Sequence, residues 1–194
     1  MPGTLNYLNP SDLLTLSKME SYRQRAAVAG VRRAVELSLA PASDLALINA
    51  GQLPNGVDVR EAQNILDFAT ALDQWNTAAL AAVGTAYSVF QAVAAPTLAA
   101  NKLAVFYKIG VETVPPPVSR VIFRMSGVAG NIIAVYDLEP LFVHTILEGY
   151  FTEPVVFDPT DVFAVQVLCR IATGVLARVS FGCWIVERKG RLIA

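Results

Sequence analysis

Between Asp58 and Ala95 the apolar positions fall at alternating steps of three and four: Ile65, Phe68, Leu72, Trp75, Ala79, Ala82, Ala86, Val89 and Val93. That spacing keeps one face of a helix against a partner, and it predicts a long second helix. Leu80, Val83, Tyr87 and Phe90 lie beside the seam and widen it, and Pro96 ends it. Asp58, Glu61 and Asp67 put negative charge near the N-terminal end, where the helix dipole favours it. A first helix is predicted upstream. Ser11 or Asp12 can cap it by accepting from exposed backbone amides, and Leu13, Leu16, Met19, Ala26 or Ala27, Val31 and Val35 give an apolar stripe interrupted at Gly30. It ends before Pro41. The stretch PASDLALINAGQLPNGVDV then reads as a connector holding one short helical turn at residues 44–50.

After Asn101 the period changes from helical to alternating. Seven runs rich in Val, Ile, Phe and Tyr, from KLAVFYKIGV to VLARVSFGCWIVE, are separated by Gly, Pro, Asn and Asp, the pattern of an antiparallel sandwich; RLIA can add an eighth. The expected class is therefore α+β, with a helical arm over residues 1–100 and a β-sandwich over 101–194. In the last two runs, Phe163, Val165, Val167, Cys169 and Ile171 are apolar at every second position, as are Val175, Ala177, Val179, Phe181, Cys183 and Ile185. A three-residue loop, Ala172 to Gly174, pairs Ile171 with Val175 and puts every odd residue on one face. Cys169 then faces Ala177 and Cys183 faces Phe163, so the two sulfurs are not partners and read as small core residues.

Composition sharpens this picture in one respect. Of the 194 residues, 54% are hydrophobic and only 16% charged, against about 45–50% and about 25% in ordinary soluble domains, which points to subunit contacts or a membrane. Residues 77–100 are long enough to cross a bilayer. They are dominated by alanine, however, carry Thr, Ser, Tyr and Gln, and lack a basic flank on the N-terminal side, so no membrane partner is expected. MPGTLNYLNPSDLL has no basic region followed by an apolar core, and is not expected to direct secretion. A net charge of −1 makes no case for nucleic acid. The basic run Lys18, Arg23, Arg25, Arg32 and Arg33, diluted by Glu20 and Glu36, reads as a solvated helix face. Two cysteines fit a reducing compartment.

Signatures of enzyme chemistry are scarce. The one histidine, His144, sits in an apolar run, and a metal site on a sandwich needs two or three converging with an acid. There is no Gly-x-Ser-x-Gly elbow and no Gly-x-Gly-x-x-Gly or Walker-type loop. MSGVAGN is flanked by strands and reads as a turn. The three prolines Pro115, Pro116 and Pro117 favour an extended segment crossing a sheet edge or docking on a neighbour. Glu148, Glu153, Asp158 and Asp161 cluster in sequence around GYFTEPVVFDPTDVF. In a regular strand Glu148 and Glu153 point to opposite faces, and Asp158-Pro159-Thr160-Asp161 reads as a turn, leaving calcium at Asp158 and Asp161 as the residual site idea.

A helical arm followed by about eight short strands, with the strand start Tyr150, Phe151 and Pro154, the turn Asp158 to Asp161 and a final strand-Gly-strand hairpin, resembles the jelly-roll structural proteins of viruses. It looks most like the cement, decoration or minor capsid proteins of tailed bacteriophages. The resemblance covers roughly the last 90 residues. It implies a non-enzymatic virion protein, assembled in the host cytoplasm, that forms a homo-oligomer, a trimer on this reading, and contacts a major capsid protein to reinforce the shell. No cofactor, metal or catalytic residue is expected. The helical seam supplies the expected oligomer interface: Ile65, Phe68, Leu72, Trp75, Val83, Tyr87 and Phe90. Pro115, Pro116, Pro117, Tyr150 and Trp184 are the expected surface contacts. Two other classes stand beside this one. A carbohydrate- or receptor-binding sandwich would use solvent-facing Trp184 and Tyr150 with the acids around them. A hydrolase would pair two of Glu148, Glu153, Asp158 and Asp161.

Overall fold

The structure is a computed structural model and describes residues 2–3, 5–7, 13–69, 75–90, 95–111, 116–139 and 148–190. Helix α1 (Leu13–Glu36) and helix α2 (Ala42–Asn49) are followed by strand β3 (Val57–Glu61) and the one-turn helix α3 (Asn64–Phe68). Two short N-terminal strands, β1 (Pro2–Gly3) and β2 (Leu5–Tyr7), precede α1. The remaining strands are β4 (Trp75–Ala79), β5 (Ala86–Ser88), β6 (Lys102–Val111), β7 (Val118–Met125), β8 (Asn131–Asp137), β9 (Glu148–Phe157), β10 (Phe163–Cys169) and β11 (Leu176–Arg188). They form two sheets face to face, ordered β1-β8-β7-β10-β5 and β2-β9-β6-β11-β3, with β4 also paired to β11. All pairings are antiparallel except β1 with β8. The sandwich and the α+β class agree with the sequence pattern.

The long second helix does not form. Its described apolar residues instead belong to α3, β4, β5 and the segments beside them. The chain leaves α3 at Ala69 with φ 53° and turns at Gly84 with φ 78°, and neither conformation continues a helix. Phe68 and Phe90, only 1% and 2% exposed, fill the interior between the sheets with Leu80 and Val89. Phe68 packs within 5.4 Å of Trp75 and of Phe90, ring centre to ring centre. The Thr77 hydroxyl accepts from the buried Ala177 amide at 2.9 Å, which fastens β4 to β11. Strand pairing therefore begins before Asn101: β3 and β4 join β11, and β5 joins β10. Among the described residues no helix is long and apolar enough to cross a membrane.

The last two strands are also arranged differently from the expected hairpin. β10 pairs with β7 and β5 in one sheet, while β11 pairs with β6, β3 and β4 in the other. Residues 170–175 cross between the sheets, with Gly174 at φ 69°. Odd positions Phe163 to Cys169 and Ala177 to Ile185 do share a core, but they meet across the sandwich instead of side by side. Ile171 and Val175, expected on that apolar face, are exposed. Cys169 and Cys183 are free, buried thiols, and burial pushes both up.

A second, smaller core lies outside the β9-β6-β11 surface, where α1 packs. Ala26, Val31 and Ala34 of α1 are buried against Leu103, Val105, Tyr107, Tyr150 and Val186. Gly30, the apparent interruption in the stripe, is the closest approach: a Cβ there would sit 2.7 Å from Val186 Cγ2 and 2.9 Å from Val105 Cγ2. The small residues of RAAVAGVRRA thus let the helix backbone rest on the branched side chains of the sheet. Asp44 of α2 closes the next connection by accepting the Asn55 and Gly56 amides at 3.0 and 2.8 Å.

Candidate functional site

The best-defined recess among the side chains nominated for function lies between the N-terminal half of α1 and the outer face of β6, β9 and β3. It encloses about 440 Å3 and is lined by Met19, Glu20, Arg23, Glu61, Tyr107, Lys108 and Tyr150. Alternation along β6 and β9 points Tyr107 and Tyr150 outward from the main core, and α1 then covers them. The Tyr107 hydroxyl donates to Glu61 Oε1 at 2.8 Å, and Arg23 Nη2 donates to the same oxygen at 3.3 Å. Lys108 Nζ donates to Glu148 Oε1 at 2.9 Å, and the Tyr150 hydroxyl reaches Glu148 Oε2 at 3.5 Å. Burial, followed by the adjacent Glu61 carboxylate, pushes the Tyr107 hydroxyl well up; burial and Glu148 do the same for Tyr150. Neither phenol is poised to ionise. Each of these carboxylates meets a phenol and a cation: Glu61 with Arg23 ties the helix to the sheet, and Glu148 with Lys108 ties β9 to β6.

The aromatic faces are spent in the same way. Tyr22 of α1 stacks on Tyr150 with ring centres 5.5 Å apart, and Tyr107 stacks on Trp184 at 5.7 Å. Trp184 Nε1 donates to the Arg23 carbonyl at 3.0 Å, and the Arg23 guanidinium lies 5.2 Å over the indole. Tyr150 is 2% exposed and Trp184 is partly buried. The expectation of solvent-facing Tyr150 and Trp184 is corrected by this cover. Outward parity in a strand says nothing about a helix that returns from earlier in the chain.

The four acids around β9 do not share a cleft. Glu148 is held by Lys108, and Glu153 is exposed farther along the strand. Arg33 donates from Nε and Nη2 to the two carboxylate oxygens of Asp158, at 2.9 Å for Nε, and so ties the end of α1 to the β9–β10 turn. Asp161 Oδ2 accepts the Asp158 amide at 2.7 Å, with Thr160 at φ 68°. The turn predicted at Asp158 to Asp161 is present. A guanidinium and a backbone amide hold oxygens that the calcium reading assigned to an ion. Among the described residues no three His, Cys, Asp or Glu side chains gather as a metal site.

The expected interface residues separate. Phe68 and Phe90 are interior, and Trp75 packs against the same core. Tyr87 is half-buried, with its hydroxyl accepting the Ala81 and Ala82 amides at 3.0 Å each. Among the described residues of this set, Val83 alone is strongly exposed, at 65%. Ile65 lies in α3, but its side chain is outside the described part of the structure, as are Leu72, Pro115 and His144. Pro116 is buried and Pro117 half-buried, and the Pro117 carbonyl accepts the Arg170 and Ile171 amides at 2.8 and 3.1 Å.

One cluster has no counterpart in the sequence reading. The Asp67 carboxylate, with a side-chain exposure of 0%, receives Arg60 Nη2 and Nη1 at 2.7 and 2.8 Å, Lys102 Nζ at 2.9 Å and the Gln63 amide at 2.8 Å. Glu187 meets both cations from the other side, at 3.0 Å for Arg60 and 3.5 Å for Lys102. The available signal was an acid set between Leu66 and Phe68 in an apolar run. Comparison with protein-family models, curated proteins and solved structures finds no match for this chain, so its own geometry is the basis for assigning a role.

Proposed function

We propose that this chain is a non-enzymatic structural protein of a virion, a capsid cement, decoration or minor capsid component built on a jelly roll, and that it works as a homo-oligomer on a major capsid protein. The observation that supports this reading is the strand order. From β4 to β11 the chain alternates between sheets except at the β7–β8 hairpin, giving β9-β6-β11-β4 in one sheet and β8-β7-β10-β5 in the other. Two Greek keys folded over each other produce that arrangement, and eight-stranded jelly rolls are common in capsid proteins. The groups nominated for chemistry point the same way, because most of them are used to hold the fold.

In this reading copies meet through the outer face of the β8-β7-β10 sheet. Helix α1 packs on β6, β9 and β11 of the opposite sheet, and Ile132 and Ile133 of β8 remain exposed. Sedimentation velocity on the full chain at micromolar concentration is the test, and assemblies larger than a monomer are expected, a trimer on this reading. Replacing Ile132 and Ile133 together by Glu is expected to move the distribution to monomer while leaving the thermal midpoint within a few degrees, since both side chains are exposed. A wild-type chain that sediments as a monodisperse monomer contradicts the proposal.

A further inference from the structure

We infer that the β8–β9 edge of the sandwich is a strand-acceptor site, and that in the assembled protein it is filled by the N-terminal segment of a neighbouring copy. In a single chain that segment closes the edge by itself. β1 adds to β8 in parallel, with Pro2 opposite Val135 and Gly3 opposite Tyr136, and β2 adds antiparallel to β9, with Leu5 opposite Phe151 and Tyr7 opposite Gly149. One short stretch thus covers the edge strand of both sheets, where β8 and β9 would otherwise present unpaired backbone groups. Strand addition of this kind draws its affinity from the backbone and its selectivity from the side chains underneath.

One position makes the fit selective. Tyr136 is buried, stacks on Phe151 with ring centres 4.2 Å apart and donates its hydroxyl to the Glu153 carbonyl at 3.0 Å, so its ring is fixed. Gly3 lies against that ring, where a Cβ would come 2.6 Å from Cδ1 and 2.7 Å from Cζ. The edge therefore requires a glycine opposite Tyr136, and an extended segment with glycine at that point is what every copy of this chain carries. Exchange between copies keeps each of these pairings, so it sacrifices no interaction and turns an internal clasp into a link between subunits. β8 also bears the exposed Ile132 and Ile133, and the acceptor edge thus borders the face through which copies meet in the reading above, on which this inference rests. A copy seated against β8 lies beside the edge that its own segment fits.

The test uses the full chain with Pro2→Cys and Val135→Cys, positions opposite each other on strands about 4.8 Å apart, within the span of a disulfide. Cys169 and Cys183 are buried and stay out of the reaction. After oxidation at micromolar concentration, a non-reducing denaturing gel is expected to show covalently joined copies that revert to single chains on reduction. Adding Gly3→Leu should cut the joined fraction at least about tenfold, because the side chain meets the Tyr136 ring. A disulfide closed within one chain overturns the inference, as does the absence of any disulfide or cross-linking that Gly3→Leu leaves intact. Sedimentation of the unaltered chain separates this failure from failure of the wider reading. An oligomer whose disulfide closes within one chain loses only the exchange, whereas a monodisperse monomer overturns both.

Discussion

Replacing Gly30 by Leu should destabilise the chain by about 3 kcal/mol and lower its thermal midpoint by roughly 6–12 °C. The site lies inside α1, where a glycine is otherwise unfavourable by about 1 kcal/mol relative to alanine. Intrinsic helix preference therefore argues that any side chain here should help. Packing opposes it: the first added carbon falls 2.7 Å from Val186 Cγ2 and 2.9 Å from Val105 Cγ2, and both valines are fully buried with stiff side chains. For Gly30→Ala the two effects nearly offset, and a small net loss is expected. For leucine the overlap wins, and α1 must lift from the β9-β6-β11 face, exposing Trp184. Arg32→Leu, on the exposed side of the same helix, should change stability by no more than about 0.5 kcal/mol. Urea unfolding of the three variants, followed by tryptophan emission, checks all of these values. Gly30→Leu as stable as the parent would mean that the helix does not rest on the sheet at this point.

Asp67→Ala is expected to cost about 3 kcal/mol at neutral pH, the lower end of what removal of one partner from a buried ion cluster costs, because Arg60 and Lys102 keep some access to water. Burial alone would raise the Asp67 carboxyl. The hydrogen bonds from Arg60, the Gln63 amide and Lys102 outweigh that effect and hold it below its ordinary value. A carboxyl depressed in the folded state adds stability that is present in full above the ordinary carboxylate range near 4 and disappears as pH falls through the depressed value. The gap between parent and Asp67→Ala should therefore be widest at neutral pH and close on acidification below about pH 4. Paired urea titrations at neutral and acidic pH measure it. A gap that does not narrow in acid would show that the loss comes from packing and not from the charge cluster.

These two sites show where sequence pattern reached the fold and where it stopped. Alternation after Asn101 identified sandwich strands because a strand with one face in a core has period two whatever lies beside it. The same parity placed Phe163 to Cys169 and Ala177 to Ile185 in one core. It could not separate a hairpin from two strands facing each other across the sandwich, since both bury the same odd residues. The spacing from Ile65 to Val93 misled for a different reason. Alanine is the strongest helix former, so Ala79, Ala82 and Ala86 extended an apparent helical seam across three short elements, while Gly84 and the β-favouring Thr77, Thr85, Tyr87 and Val89 received too little weight.

Of the functional residues, the turn at Asp158 to Asp161 was legible because proline and aspartate act locally. The cover over Tyr150 and Trp184, the Arg33 bond to Asp158 and the cluster at Asp67 were not. Each joins residues far apart in the chain, and one sequence carries no record of such pairings. Gly30 was visible but misread, since a glycine in a helix stripe looks like a weakness until the surface beneath it is known.

The functional proposal rests on the strand order, and NMR contacts within residues 75–90 probe that order most directly. Cross-strand proton contacts are expected from Val167 to Tyr87 and from Leu176 to Ala79, with strand-type Cα shifts in β4 and β5. Contacts from each residue to the third one along, with helical shifts running unbroken from Trp75 to Phe90, would contradict the sandwich and the role drawn from it.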